Sequence, residues 1–186
     1  RFMRTIEEIR QLLLELSACT GVSGDEGGIA KKIEELLRPA ADCRRTPLGN
    51  VIAVQNASAP KKLMTAAHMD EVGLMVISAT DEGLLHVRPI GGIDPRVLVS
   101  KRVKVGYAVP ARDGKPAQEP LRGVIGAMAI HQQTAEDRKR VLPRDPLYVD
   151  IGAKDKDEAP EKAPAGTPLT FAPASPTYGA GRILDR

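Results

Sequence analysis

The stretch "KKLMTAAHMDEVGLMV", residues 61–76, sets His68, Asp70 and Glu71 within an otherwise apolar run. In an extended segment side chains alternate with a period of two, so His68 and Asp70 point the same way. A carboxylate beside one ring nitrogen fixes the imidazole tautomer and raises the basicity of the other nitrogen as a metal ligand. A bound metal would also offset the cost of desolvating charge at the end of a buried segment. A His–Asp hydrogen bond that simply ends a strand uses the same residues. Residue types and spacing leave both readings open.

Other groups with reactive side chains point to structure. His86 lies in "GLLHVRPI" and His131 ends "GVIGAMAIH", both within strand-like stretches. The acidic pairs Glu7–Glu8 and Glu34–Glu35 fall on amphipathic helical patterns, where they read as solvated faces. Ser23 in "GVSGDE" is flanked by a helix–turn–helix pattern, not by the strand-to-helix turn of a nucleophile elbow. The glycine-rich stretches lack the lysine and the strand-to-helix setting of a phosphate loop. Arg96 in "GGIDPRVL" is expected to pair with an acid across a domain or a subunit interface.

The elements that must position these residues follow from periodicity. Ile6, Ile9, Leu13 and Leu16 recur at helical spacing, with Thr5 as N-cap and Glu8 completing a capping box. Glycines in "TGVSGDEGG" break that helix, and "IAKKIEELLR" predicts a second, ending at Pro39. "NVIAVQ" and "KKLMTAAHMD" are expected to be strands, the latter buried. Two helices followed by apolar strands suggest the opening of an α/β domain. After residue 72 the texture changes to short strands separated by Gly, Pro and Asp turns, as in a small β-barrel or sandwich. "TAEDRKRV" predicts a short helix and "KDKDEAPEKA" a solvated helix or charged loop. "GTPLTFAP" reads as a last strand, with a glycine-rich loop after it.

Composition narrows the function classes. With 186 residues, one domain of ordinary size or two small ones is expected. The aromatic fraction is 3% against 42% hydrophobic, so the core must be built from aliphatic side chains. Lys and Arg number 27 and Asp and Glu 24, interspersed, which leaves no footprint for nucleic acid. No apolar run approaches the roughly 18 residues of a membrane span, and no secretory leader is expected from "RFMRTIEEIR". Cys19 and Cys43 form no disulfide framework and read as buried, reduced thiols of a cytoplasmic protein.

The blocks "GVSGDE" (21–26), "PLGNVIAV" (47–54), "AAHMDEVGLMV" (66–76), "GGIDPRVL" (91–98), "GVIGAMAIH" (123–131), "YVDIGAKDKDEA" (148–159) and "GTPLTFAP" (166–173) together span nearly the whole chain. In this order they resemble the glutamyl-aminopeptidase and endoglucanase-M-like family of dinuclear metallo-aminopeptidases, which includes the tetrahedral aminopeptidases. The resemblance implies an α/β, zinc-peptidase-like catalytic domain, partial here, over residues 1–70 and 166–186. A β-barrel-like dimerisation domain over residues 71–165 would interrupt it.

It further implies that His68 is a metal ligand and that Asp70 is the catalytic acid supporting it. Asp185, in "GRILD", takes the place of the family's metal-bridging aspartate. Two divalent ions would be held, and His and carboxylate donors suit Zn, Co or Mn alike. Peptides would be the substrates, with neither nucleic acid nor membrane as partner, and the protein would be a homo-oligomer, a dimer building a dodecamer. Members of this family continue through an adjacent glutamate pair, another acid and a final histidine. The resemblance therefore implies that the base and remaining ligands lie outside these 186 residues, and that the chain alone is catalytically silent.

Two other classes compete. A non-catalytic dimerisation or assembly module would use the same barrel without the metal. A glycoside hydrolase would need two carboxylates flanking a sugar cleft, and the sequence supplies no such pair.

Overall fold

The computed structural model describes residues 4–107, 119–127, 134–136 and 147–172, together with the backbone of 177–178 and 182–183. The chain divides into two compact units, Arg1–Glu71 with Pro173–Arg186, and Val72–Ala172.

In the first unit, α1 (Ile6–Ser17) starts at the expected capping box. The Glu8 N–H donates to Thr5 Oγ1, and the Glu8 carboxylate accepts the Thr5 N–H at 2.6 Å. Its apolar stripe, Ile6, Ile9 and Leu13, is largely exposed. Helix α2 (Gly27–Leu37) buries Ile29 and Ala30 and is joined to α1 by Lys32–Glu15 at 3.0 Å. Strands β1 (Asp42–Arg45) and β2 (Val51–Val54) form an antiparallel hairpin. Its turn passes through Gly49, whose φ of +89° lies in the region L side chains avoid. Cys19 and Cys43 are half-buried free thiols, less enclosed than the sequence suggests.

The run at 62–70 departs from the expected buried strand. Residues 63–70 form no strand, and Leu63 and Met64 are almost fully exposed. Apolar patterning states what a segment buries when a neighbouring strand is present. Among the described residues this run pairs only at its end, where Glu71 bridges Val22 in parallel.

The second unit is a closed barrel in which every pair is antiparallel. Its strands are β3 (Gly73–Ala79), β4 (Leu85–Ile90), β5 (Arg102–Val105), β6 (Leu121–Gly126), β7 (Tyr148–Asp150) and β8 (Pro168–Phe171). They are arranged β3-β4-β7-β6-β5-β8, with β8 returning to β3. Alternate residues point inward, and Leu74, Val76, Leu85, Val87, Val103, Val105, Ile125, Val149 and Leu169 fill the interior. Aliphatic side chains suffice because the six short strands enclose only a narrow space. Gly123 is required there, since a Cβ would sit 2.6 Å from Val149 Cγ1.

Helix α3 (Glu158–Lys162) contributes buried Ala159 to this core, so the charged segment is a helix and not a loop, with its Ala159 side packed and Pro160–Lys162 exposed. Pro95–Val97 forms a single 3-10 turn capped by Asp94. Arg96 pairs with that same Asp94, its Nε 2.9 Å from both carboxylate oxygens. The glycine-rich end contains two-residue strands, β9 (Thr177–Tyr178) and β10 (Arg182–Ile183), paired antiparallel. Of "TAEDRKRV", only 134–136 are described; the expected helix lies outside the described residues.

Candidate functional site

The site is built where the α1–α2 loop meets the segment carrying His68. Gly21 and Val22 are buried in that loop. A Cβ on Gly21 would approach Ile29 Cγ2 of α2 to 2.8 Å, so glycine lets the loop lie against the helix. The Glu71 N–H donates to Gly21 O at 2.7 Å, and the Ser23 N–H to Glu71 O at 3.3 Å. Two short stretches, 21–23 and 69–71, are thereby held side by side.

On that frame Ser23, Asp70 and His68 form a chain of hydrogen bonds. The Ser23 hydroxyl donates to Asp70 Oδ2 at 2.6 Å. His68 Nδ1 lies 3.0 Å from Asp70 Oδ1 and 3.1 Å from the Asp70 carbonyl oxygen. Both atoms facing Nδ1 accept only, so Nδ1 carries the proton and Nε2 keeps its lone pair. The His68 side chain is 84% exposed and Asp70 40%. The hydroxyl of Ser23, and after it the His68 ring, holds the Asp70 carboxyl below its ordinary range. An exposed imidazole with one nitrogen tied to a carboxylate leaves the other nitrogen open to solvent, an arrangement that metal-ligating histidines share.

Ser23 is the neighbour of this pair that sequence reasoning missed. It is not arranged as a triad nucleophile, because the carboxylate sits between hydroxyl and imidazole and the hydroxyl is bonded to the carboxylate, not to the ring. Its partner is 47 residues away, and no spacing rule links the two; only the fold does.

The other candidates fall elsewhere. Asp185 and His131 lie outside the described residues. His86 belongs to β4 of the barrel, its ring centroid 4.9 Å from that of Tyr148. Glu34 is engaged by Arg45 at 3.0 Å and Arg38 at 3.7 Å. Among the described residues no three His, Cys, Asp or Glu side chains are grouped to hold a metal ion.

The chain is similar to known proteins over most of its length. The family model described as M42 glutamyl aminopeptidase matches residues 49–185. The lysyl aminopeptidase of Pyrococcus furiosus is 36% identical over 167 residues, covering 88% of this chain and 45% of that protein. The TET aminopeptidase of the marine sediment archaeon Thaumarchaeota archaeon SCGC AB-539-E09 superposes with a TM-score of 0.79 at 26% identity, covering 92% of this chain and 47% of the other. The TET1 peptidase of Pyrococcus horikoshii, which can assemble into a tetrahedron or a large octahedral shell, gives 0.69 at 32% identity, over 89% of this chain and 47% of its own. The chain thus spans about half the length of the relatives it matches.

Proposed function

Because the chain belongs to the M42 glutamyl aminopeptidase family, we propose that it forms part of a metal-dependent aminopeptidase that removes N-terminal residues from peptides. The observation that carries this is the His68 ring, pinned at Nδ1 by Asp70 and open at Nε2. His68 would ligate through Nε2, and Asp185 would be the bridging carboxylate. Asp70 would keep the ring in its ligating tautomer and offset the positive charge gathered there. A pair of divalent ions, Zn, Co or Mn, would supply the Lewis acidity that polarises a scissile carbonyl and activates water.

The 186 residues do not complete that centre. His68 and Asp185 make two donors, where zinc sites normally take at least three from protein. Within the two acidic pairs, one member of each already has partners of its own. Glu8 is committed to the cap of α1, and Glu34 to Arg45 and Arg38. The chain by itself is therefore proposed to be inactive.

The barrel of Val72–Ala172 would serve dimerisation, and the dimers would build a dodecamer. Exposed Ile77, Val97, Val99 and Val124 on that unit support it, as does the assembly named for the Pyrococcus horikoshii relative. The reading includes neither nucleic acid nor membrane as partner; among the described residues no helix is long and apolar enough to cross a membrane. A cytoplasmic setting, with Cys19 and Cys43 reduced, is part of the same proposal.

A non-catalytic assembly module is the second reading; it would use the barrel of Val72–Ala172 without a metal. Glycoside hydrolysis gains nothing from the site, since both oxygens of Asp70 are engaged by Ser23 and His68.

The test is to measure bound metal and hydrolysis of leucyl-, glutamyl- and lysyl-arylamides, with Zn, Co or Mn added, for this chain and for a form extended to the relatives' length. Metal-dependent turnover in the extended form that disappears with His68→Ala supports the aminopeptidase. An extended form that binds no metal but still oligomerises selects the assembly module.

A further inference from the structure

The His68 ring is too exposed for packing to orient it. Its side chain is 84% in solvent, so its direction depends on what holds Nδ1. That anchor is Asp70, through its carboxylate Oδ1 at 3.0 Å and its own carbonyl oxygen at 3.1 Å; the carboxylate, on a side chain 40% exposed, is free to turn about the Cβ–Cγ bond unless something fixes it. The Ser23 hydroxyl does so by donating to Oδ2 at 2.6 Å, which leaves Oδ1 for His68. Ser23 is in turn fixed by its own backbone, through its N–H to Glu71 O and through the turn at Ser23–Gly24, closed by Val22 and Asp25. From this chain of contacts we propose that Ser23 is a positioning residue for the metal site: it locks the Asp70 carboxylate so that His68 is held as the Nδ1–H tautomer with Nε2 presented outward.

The proposal rests on the ligand role of His68 only for its functional meaning. The hydrogen-bond geometry stands without it. Replacing the hydroxyl removes one donor and leaves the backbone pairing of 21–23 with 69–71 intact. The carboxylate then meets His68 in more than one orientation, the Asp70 carbonyl is the one fixed acceptor left at Nδ1, and the ring gains partial access to the Nε2–H form that dominates in free histidine. Nε2 loses its lone pair in that fraction, and metal binding weakens with it.

The experiment uses long-range proton–nitrogen correlation spectra of the metal-free chain, with His68 resonances assigned by their loss in His68→Ala, and titration with Zn2+ of the form extended to the relatives' length. The wild-type ring should be the Nδ1–H tautomer. Ser23→Ala should show a mixture with Nε2–H and bind zinc about tenfold more weakly, in the range usual for loss of an outer partner. Ser23→Thr, which keeps the hydroxyl, should restore both. If Ser23→Ala fails to fold, Ser23→Cys, a weak donor of similar shape, carries the same comparison. An unchanged tautomer and unchanged zinc affinity in Ser23→Ala would overturn the proposal. A tautomer shift in Ser23→Ala with wild-type His68 resonances that ignore zinc would uphold the positioning role and sink the ligand assignment instead.

Discussion

Arg45 of β1 places its Nε 3.0 Å from Oε1 of Glu34 on α2, tying the hairpin to the helix. The Glu34 side chain is 14% exposed and that of Arg45 36%, so the pair sits at the better-shielded end of the surface range. Glu34→Gln is expected to cost up to about 1 kcal/mol, with a coupling to Arg45→Met of similar size in a double-mutant cycle followed by urea unfolding. Zero coupling would mean that the contact contributes nothing.

Removing the His68 ring should separate function from folding. With the side chain in solvent, His68→Ala is expected to shift stability by less than about 0.5 kcal/mol. In an active, metal-loaded form of the enzyme, turnover should fall below detection and metal content should drop. Normal metal content with normal turnover would remove His68 from the site.

The barrel interior should be the least tolerant part of the chain. Leu169 of β8 is fully buried opposite Leu74 of β3, and Leu169→Ala is expected to cost about 2–5 kcal/mol through lost burial and the cavity left behind. Chemical denaturation watched at barrel resonances measures it. A cost below 1 kcal/mol, on that same scale, would mean that the barrel collapses around the gap.

Asp25 gives a pH dependence with a definite sign. Burial, and secondarily Glu26, pushes its carboxyl above the ordinary value of 3.8. A group raised in the folded state contributes stability fully below the unfolded value and loses it as pH rises through the folded one. Asp25→Asn should therefore match the wild type at low pH and become progressively more stable above pH 3.8, levelling off once Asp25 is ionised. Thermal melts across that interval decide it, and a constant difference at all pH values would contradict the assignment.

What the sequence disclosed and what it hid divide along the range of the interaction. The Thr5–Glu8 cap is a four-residue event and could be read directly. So could the short, turn-punctuated strands that close into the barrel, because alternation and Gly or Pro punctuation are local. His68 and Asp70 are two apart, and their contact was also within reach, although the segment is not the buried strand that patterning predicts. Strand β1 was not legible. Asp42, Cys43, Arg44 and Arg45 carry no apolar alternation, and they form a strand because β2 offers a ladder after the Gly49 turn. Ser23 was hidden for the same reason, since its role exists only once the 21–23 loop lies against residues 69–71.

The first and last strands of the barrel, β3 and β8, are hydrogen-bonded neighbours, with Leu74 opposite Leu169. Because they run antiparallel, the chain enters and leaves the barrel at the same end and on adjacent strands. A polypeptide of about a hundred residues is thus spliced into the chain as an excursion that returns to its starting point, with all of its strand edges closed on themselves. Such a module can be lengthened, exchanged for another barrel or replaced by a short linker, with only its two neighbouring attachment points to satisfy. Lineages could therefore alter the barrel's outer surface, and any contacts it makes, without rewriting the loop that carries His68.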